Sequence, residues 1–275
     1  MCSSALALPD CRCLVSSFGR IHHAADRDAY LAHARLRSFE RRVEQARDVL
    51  RSAAAVGPLV VSVSWGKDST ALAHLALETL GRVPMLHMSS PYALPGWERV
   101  HDYFAARTDV TILPAERSLA EYLEWCERIG LPHERTANVQ SRVVQEIKRD
   151  RGGEWAKEHG YVVQVLGLRA SESVIRRMLL RRRGLLYQLA TGDWRAQPLA
   201  WWSAQDTWAY LYSREVPYHP LYDCETHGQT RETLRNTGWL STDGAEQGRV
   251  AWLREHYPTQ YRQLETAFPR IRQLR

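Results

Sequence analysis

A short polar loop between two apolar segments restricts the fold of this chain more than any other stretch. A predicted strand over 59–64 leads into the loop Ser64-Trp65-Gly66-Lys67-Asp68-Ser69, and a predicted helix over 69–80 follows at once. A strand that enters a tight loop and leaves it as a helix directs backbone N–H groups and the positive helix end to one point. The pattern therefore predicts an anion-binding loop at the edge of a sheet.

The side chains of this loop suit a phosphate group. Lys67 supplies a positive charge, and Ser64 and Ser69 supply hydroxyl donors. A carboxylate would repel phosphate, so Asp68 is expected either to hold Mg²⁺ or to cap the backbone. The loop is not the Walker A sequence, because Asp68 follows the lysine and Val61 stands where the first glycine is required.

Composition indicates a globular protein with a basic surface. The chain is 44% hydrophobic, which allows a sizeable core, and its net charge is +6, carried almost entirely by arginine. No run approaches the ~20 apolar residues that a membrane span needs, and residues 1–15 lack a signal-peptide pattern. We therefore expect a cytoplasmic protein with no membrane association. Five cysteines without a Cys-x-x-Cys pair predict reduced thiols rather than disulfides or a zinc site.

The order of predicted elements favours an α/β fold. Residues 1–25 show little periodicity and are interpreted as a loose leader, and 25–54 as one or two amphipathic helices. Further strands are predicted over 82–88, 110–113 and 161–166, alternating with helices over 97–106, 119–129 and 141–159, the last broken at Gly152-Gly153. Helices over 203–214, 230–236, 247–256 and 258–268 complete the prediction, the first beginning with a capping box of Ser203 and Asp206.

A second group of polar residues follows the strand predicted over 161–166. Gly167 can allow close approach of backbone and ligand, and Arg169 can bind a phosphate or sulfate with its planar guanidinium. Glu172 would orient Arg169 or help to hold Mg²⁺. In a parallel sheet, ligands bind beyond the carboxyl ends of the strands, where both Ser64 and Gly167 are expected.

Three motifs in order resemble the phosphoadenosine-phosphosulfate (PAPS) reductase family. Loop 64–69 is similar to the PP-loop Ser-Gly-Gly-x-Asp-Ser of the ATP pyrophosphatases, with Trp65 in place of the first glycine. Gly-x-Arg-x-x-Glu-Ser at 167–173 and the segments 197–208 and 216–223 follow in the family's order. The resemblance covers about 56–224 and implies an adenine nucleotide alpha hydrolase-like fold: a doubly wound parallel sheet with helical N- and C-terminal additions. We accordingly divide the chain into segments 1–55, 56–224 and 225–275.

Departures from the family pattern favour an ATP pyrophosphatase over a reductase. The reductases share a C-terminal Glu-Cys-Gly-Leu-His segment that has no match here, and residues 132–149 contain none of the cysteines of iron–sulfur members. Segment 89–95 also lacks the family's usual Thr/Asp-Gly-x-x-x-Pro sequence. The expected chemistry is attack on the α-phosphorus of ATP in a sulfur-transfer or nucleic-acid modification pathway, such as DNA phosphorothioation. A sulfonucleotide reductase or transferase using Cys224, and a non-catalytic nucleotide-binding regulator, remain alternatives.

The resemblance and the residues together define the expected site. Lys67, Asp68 and Arg169 are predicted to be catalytic, and Asp68 is the predicted metal ligand. The expected ligands are ATP and Mg²⁺; a nucleic acid, a sulfur-donor protein and a second copy of the chain are left open as partners. The residues predicted to bind the nucleotide lie on both motifs: Ser64, Trp65, Gly66, Lys67, Asp68, Ser69, Gly167, Arg169 and Glu172.

Overall fold

The computed structural model describes residues 17–129, 151–224, 249–267 and 269–273. Six strands are described: β1 Leu59–Val63, β2 Met85–Met88, β3 Val110–Leu113, β4 Val163–Leu166, β5 Leu186–Gln188 and β6 Trp194–Ala196. The helices of the described ranges are α1 Ser17–Ala34, α2 Arg37–Val56, α3 Lys67–Leu80, α4 Glu98–Ala105, α5 Leu119–Ile129, α6 Arg151–Glu158, α7 Val174–Arg183, α8 Ala204–Ser213, α9 Arg249–His256 and α10 Pro258–Ala267.

The strands form one sheet in the order β3-β2-β1-β4-β6-β5. All neighbouring pairs are parallel except β5 and β6, which are antiparallel. From β1 the strands β2 and β3 follow toward one edge of the sheet, and β4, β6 and β5 lie on the other side of β1. The strand order thus changes direction between β1 and β4, and doubly wound sheets bind ligands at such a position. The predicted α/β doubly wound fold is therefore confirmed.

Both faces of the sheet are covered, because successive side chains of each strand point to opposite sides. On one face, Val61 and Val163 belong to the large core that also contains Leu50 of α2 and Leu72 of α3. On the other face, Val60 and Leu86 pack with Ala156 of α6. All five residues of β1 are buried, as expected for a central parallel strand.

Asp206 links the N-terminal helices to α8. Its carboxylate lies 2.7 Å from His33 Nε2 of α1 and accepts a 2.8 Å hydrogen bond from Arg42 of α2. It also accepts a bond from the backbone N–H of Ser203, whose hydroxyl accepts from the N–H of Asp206. The predicted capping box is thus confirmed, and it fixes the start of α8 against the N-terminal helices.

Several predicted boundaries differ from the structure. Helix α1 begins at Ser17, so the predicted loose leader over 1–25 is wrong for its last residues. Helix α6 includes Gly152 and Gly153, so the predicted break is wrong there. A Cβ at Gly152 would lie 3.0 Å from the side-chain ends of Gln164 and Met88, which would have to shift slightly. Strands β5 and β6 were not predicted, since three residues are too few to show alternation.

Some predictions fall on residues outside the described ranges. These are the first 16 residues of the leader, the N-terminal part of the helix predicted over 141–159, and the helix predicted over 230–236. Within the described ranges, every helix is too short or too polar to cross a membrane.

Candidate functional site

The polar loop lies where the sequence places it, between β1 and α3. Helix α3 begins at Lys67, so Lys67 and Asp68 belong to its first turn rather than to the loop alone. Trp65 has a positive φ of 59° and its side chain is fully buried, stacked on Phe104 with ring centroids 5.6 Å apart. A nucleotide could therefore contact the backbone of Trp65 but not its indole ring.

The two loop serines bind one another and the loop backbone. Ser69 Oγ donates to the carbonyl of Gly66 at 3.0 Å and accepts from the backbone N–H of Ser64 at 3.2 Å. The hydroxyl of Ser64 lies 3.2 Å from that of Ser69. These bonds close the loop into a compact turn.

Lys67 and Arg169 meet at the carboxylate of Asp68. The ammonium group of Lys67 lies 2.9 Å from Asp68 Oδ2, and the Nε of Arg169 lies 2.9 Å from Asp68 Oδ1. Both cationic side chains are 1% exposed. Lys67 and Arg169 are far apart in the sequence but contact the same carboxylate. The structure therefore brings together the two motifs that the sequence singles out.

Glu172 and Arg176 extend this charge cluster toward α7. The Glu172 carboxylate lies 3.5 Å from Arg169 Nη2 and 2.9 Å from Arg176 Nη1. The predicted role of Glu172 in orienting Arg169 fits this geometry. Three cations and two carboxylates leave a net positive charge beside the loop, which suits a phosphate-bearing ligand.

Gly167 contacts protein backbone. A Cβ at this position would lie 3.0 Å from Ser69 Cα and 3.2 Å from the carbonyl oxygen of Asp68. The glycine therefore allows the end of β4 to pack directly on the first turn of α3. The sequence predicts the close approach of a ligand at Gly167, whereas in the structure it is the backbone of Ser69 and Asp68 that comes close.

Two residues of the site carried no predicted role. Thr207, buried in the first turns of α8, donates a 2.9 Å hydrogen bond to Asp68 Oδ1. Tyr222 accepts a 3.2 Å bond from the backbone N–H of Lys67, and its ring centroid lies 6.0 Å from the Lys67 ammonium. Thr207 and Tyr222 lie in segments 197–208 and 216–223, which the family resemblance includes. That resemblance was the one signal in the sequence that could have identified them.

The residues around Asp68 do not fit a Mg²⁺ site. One carboxylate oxygen is bound by Lys67 and the other by Arg169 and Thr207. Mg²⁺ prefers several oxygen ligands, whereas this surrounding is cationic. In the described part of the chain, no three His, Cys, Asp or Glu side chains come together as a metal site. The expected metal role of Asp68 is therefore not supported by its contacts.

An aromatic wall flanks the loop on the side of β2. His87 lies between Trp65 and Trp97, with ring centroids 5.6 and 4.9 Å away. Its Nδ1 donates to the carbonyl of Val63 at 3.1 Å, and burial lowers the pKa of His87 below its ordinary value. His87 is therefore neutral near pH 7 and adds no charge to the site.

Cys224 differs from the expected reduced thiol. It is 3% exposed and takes part in a disulfide bond. A sulfur in this state is not available as a nucleophile. The prediction that all cysteines are reduced is therefore wrong for Cys224.

Comparison with known proteins gives a family match over most of the chain. Residues 58–262 match the family described as "Phosphoadenosine phosphosulfate reductase domain". Adenosine 5'-phosphosulfate reductase of Allochromatium vinosum is 35% identical over 89 residues, which are 32% of this chain and 31% of that protein. Phosphoadenosine 5'-phosphosulfate reductase of Xanthomonas oryzae pv. oryzae is 24% identical over 175 residues, 59% of this chain and 65% of that protein. The chain thus spans less than two thirds of the length of these curated relatives.

A solved structure shows a weaker similarity. It is the phosphoadenylyl-sulfate reductase from Candida auris in complex with phosphate, with a TM-score of 0.46 and 17% sequence identity. The match covers 65% of this chain and 83% of that protein.

Proposed function

We propose, starting from the fact that the chain belongs to the phosphoadenosine phosphosulfate reductase domain family, that it is an adenine-nucleotide enzyme. Within that family, we propose that it works as an ATP pyrophosphatase. In this proposal the phosphates of ATP lie at the N-terminal end of α3, beside Lys67 and Arg169. The net positive charge of the cluster and the closed serine turn support binding of a polyphosphate.

The proposed reaction is attack on the α-phosphorus of ATP. An oxygen of the acceptor forms a bond to that phosphorus, and the bond from phosphorus to the oxygen that bridges to the β-phosphate breaks. Pyrophosphate leaves with the electron pair, and the acceptor, now carrying AMP, loses its proton to water. Lys67 and Arg169 would neutralise the charge that develops on the phosphoryl oxygens, which is the largest contribution a protein makes to such a transfer. Asp68, Thr207 and Glu172 would hold the two cations in place.

The curated relatives are named reductases, and this favours the sulfonucleotide alternative. The burial of Cys224 is the observation that carries our choice against it. A reductase forms a covalent sulfur intermediate, which needs an accessible thiolate. Cys224 is only 3% exposed, and the family's C-terminal Glu-Cys-Gly-Leu-His segment has no match in this sequence.

The acceptor and the pathway belong to the same proposal. The resemblance to PP-loop ATP pyrophosphatases suggests a role in sulfur transfer or nucleic-acid modification, with DNA phosphorothioation as the specific case. The acceptor would then be a nucleic acid and the sulfur would come from a donor protein. Asp68 is not used as a magnesium ligand in this mechanism.

The test compares two substrates on the same purified protein. One sample receives ATP in magnesium-containing buffer, with and without a DNA duplex as acceptor, and the other receives PAPS with reduced thioredoxin. Release of pyrophosphate from ATP, unchanged in Cys224→Ser, is the expected result, with free AMP appearing where water attacks in place of the acceptor. Release of sulfite from PAPS that is lost in Cys224→Ser would establish the reductase alternative instead.

A further inference from the structure

Helix α7 presents an exposed face that the proposed reaction does not use. Val174, Ile175 and Met178 are 62%, 81% and 65% exposed, although all three are apolar. Helical spacing places Arg177, Arg181 and Arg182 among them, since residues three and four apart are neighbours on a helix surface. The result is a face of aliphatic side chains bordered by guanidinium groups, which we call the α7 face (Val174, Ile175, Arg177, Met178, Arg181 and Arg182).

The charge of the α7 face is not neutralised by the described part of the chain. Arg177, Arg181 and Arg182 make no ion pair with any described residue. Among the exposed arginines of α2, Arg51 is paired with Glu44 and Asp48, whereas Arg37 and Arg41 are unpaired among the described residues. Uncompensated guanidinium groups on one helix face attract an anionic partner.

The α7 face is attached rigidly to the phosphate-binding residues. Arg176, on the same helix, donates to the carbonyl of Arg169 at 2.8 Å and to Glu172 at 2.9 Å. The hydroxyl of Ser173 caps the helix by accepting from the N–H of Arg176. A partner bound along α7 is therefore held at a fixed position relative to Arg169.

We infer that the α7 face binds double-stranded B-form DNA, an inference that rests on the proposed function because it identifies the class of acceptor. The helix has 10 residues, so it is about 15 Å long and, with its side chains, about 10–12 Å wide. A B-form major groove is about 12 Å wide and admits such a helix. The three arginines contact phosphates along the groove edges, and Ile175 and Met178 contact apolar base edges such as thymine methyl groups.

The helical shape of the α7 face favours a B-form duplex over RNA. The major groove of A-form RNA is deep and narrow, so it does not admit a helix, and its sequence is read mainly in unpaired regions. An acidic protein surface would also complement the arginines, and this alternative is separated by the test below.

The experiment measures binding of a fluorescein-labelled 24-base-pair DNA duplex by anisotropy at several salt concentrations, without ATP. We expect the triple variant Arg177→Ala/Arg181→Ala/Arg182→Ala to lose at least about tenfold in affinity. Its log–log salt dependence should be less steep by about 2–3 units, because each phosphate contact contributes roughly 0.9 units. Ile175→Ser/Met178→Ser should weaken binding without changing the salt slope, since apolar contacts release no counterions.

The matched control removes the same charge from another surface. Arg35, Arg37 and Arg41 are exposed and unpaired among the described residues, so Arg35→Ala/Arg37→Ala/Arg41→Ala should leave affinity within about twofold of wild type. An equal loss in this control, or an unchanged salt slope in the α7 triple variant, would overturn the inference. Absence of DNA binding by the wild-type protein would also overturn it and leave an acidic protein as the partner of this face.

Two further measurements distinguish DNA binding at the α7 face from RNA binding and from the proposed ATP reaction. Binding of tRNA with the same affinity and the same dependence on the α7 arginines would overturn the choice of a B-form groove. Pyrophosphate release from ATP is measured separately on wild-type protein, with and without the DNA duplex. If ATP is cleaved in neither sample but DNA binding depends on α7, the proposed reaction fails while the DNA site stands; the opposite pair of results removes the DNA site alone.

Discussion

Thr207 Oγ1 donates a 2.9 Å hydrogen bond to Asp68 Oδ1, across 139 positions of sequence. The same oxygen of Asp68 lies 2.9 Å from Arg169 Nε, and the other oxygen binds the Lys67 ammonium. A hydroxyl from α8 therefore fixes the one carboxylate that contacts both cations beside loop 64–69. Asp68 is better understood as the centre of an ionic cluster than as a ligand of a metal ion.

Replacement of Thr207 by valine should remove this hydrogen bond with little change in shape. We expect unfolding free energy to fall by about 1.5–3 kcal/mol, the usual contribution of a hydrogen bond to a charged group. Turnover of ATP should fall as well, because Asp68 loses one of the contacts that fix Arg169. Urea unfolding and pyrophosphate release measure the two effects. Thr207→Ser restores the hydroxyl and should recover most of both losses; a serine variant as impaired as the valine variant would show that shape, and not the hydrogen bond, matters.

Replacement of Asp68 by asparagine should destabilise the protein without changing its magnesium requirement. Lys67 and Arg169 are both 1% exposed, and removal of the charge that they share leaves two buried cations poorly compensated. Breaking such a pair typically costs about 3–5 kcal/mol. The measurements are urea unfolding and a magnesium titration of pyrophosphate release. A variant of normal stability that needs much more magnesium would instead establish Asp68 as a metal ligand.

Replacement of Lys67 by alanine should weaken ATP binding by about 1.5–3 kcal/mol, the scale of a charge-assisted hydrogen bond. Titration calorimetry gives the dissociation constant, and thermal unfolding confirms that the variant is folded. Lys157→Ala is the matched control, since Lys157 is exposed on α6 and should not affect affinity. Equal affinity of the Lys67 variant and wild type would show that phosphate does not bind at this loop.

Replacement of Gly167 by alanine should disturb the site through the backbone. The new Cβ would lie 3.0 and 3.1 Å from Ser69 Cα and N, which cannot move aside as a flexible side chain can. Overpacking of this kind typically costs about 1–3 kcal/mol, and ATP affinity should fall with it. Gly57→Ala is the control, because its nearest contact is a valine side chain at 3.4 Å. Normal stability and affinity in both variants would show that β4 and α3 can separate without consequence.

Replacement of Asp206 by asparagine should reduce stability more at neutral pH than in acid. Burial raises the pKa of Asp206, but hydrogen bonds from His33, Ser203 and Arg42 outweigh this effect, so the pKa lies below the ordinary value of an aspartic acid. A lowered pKa in the folded state means that the carboxylate stabilises the fold above about pH 4 and that this stability is lost as pH falls.

We expect Asp206→Asn to lower unfolding free energy by about 2–3 kcal/mol at pH 7. The difference from wild type should become smaller as the pH falls below about 4, as measured by urea unfolding over a series of pH values from 7 downward. Asp48→Asn, which breaks an exposed pair with Arg51, should change stability little at any of these pH values. A difference for Asp206→Asn that persists in acid would show that the charge is not its cause.

The sequence predicted the sheet and the two motifs at its edge because both depend on local patterns. Apolar runs followed by polar turns located β1 and β4, and the order of strands and helices indicated a parallel sheet. Arg169 was expected beside the loop because parallel strands end at the same edge.

Other parts of the site could not be predicted from local sequence. Thr207 is followed on its helix by the buried residues Trp208 to Leu211, and nothing in that pattern distinguishes a threonine that contacts Asp68 from one that packs in the core. The indole of Trp65 was expected at the nucleotide because it lies in the loop, but a positive φ turns it toward Phe104. Such contacts are set by tertiary packing.

The ionic cluster also has a consequence for the order of events during synthesis. Its members come from positions 67–68, 169–176, 207 and 222, so no early part of the nascent chain contains them all. Until α8 emerges from the ribosome, Asp68 lacks a contact that fixes it, and the first turn of α3 carries a lysine that the fold will later bury. Long-range contacts of this kind form slowly. We therefore expect loop 64–69 to reach its final structure last, when the segment 204–222 packs against the sheet.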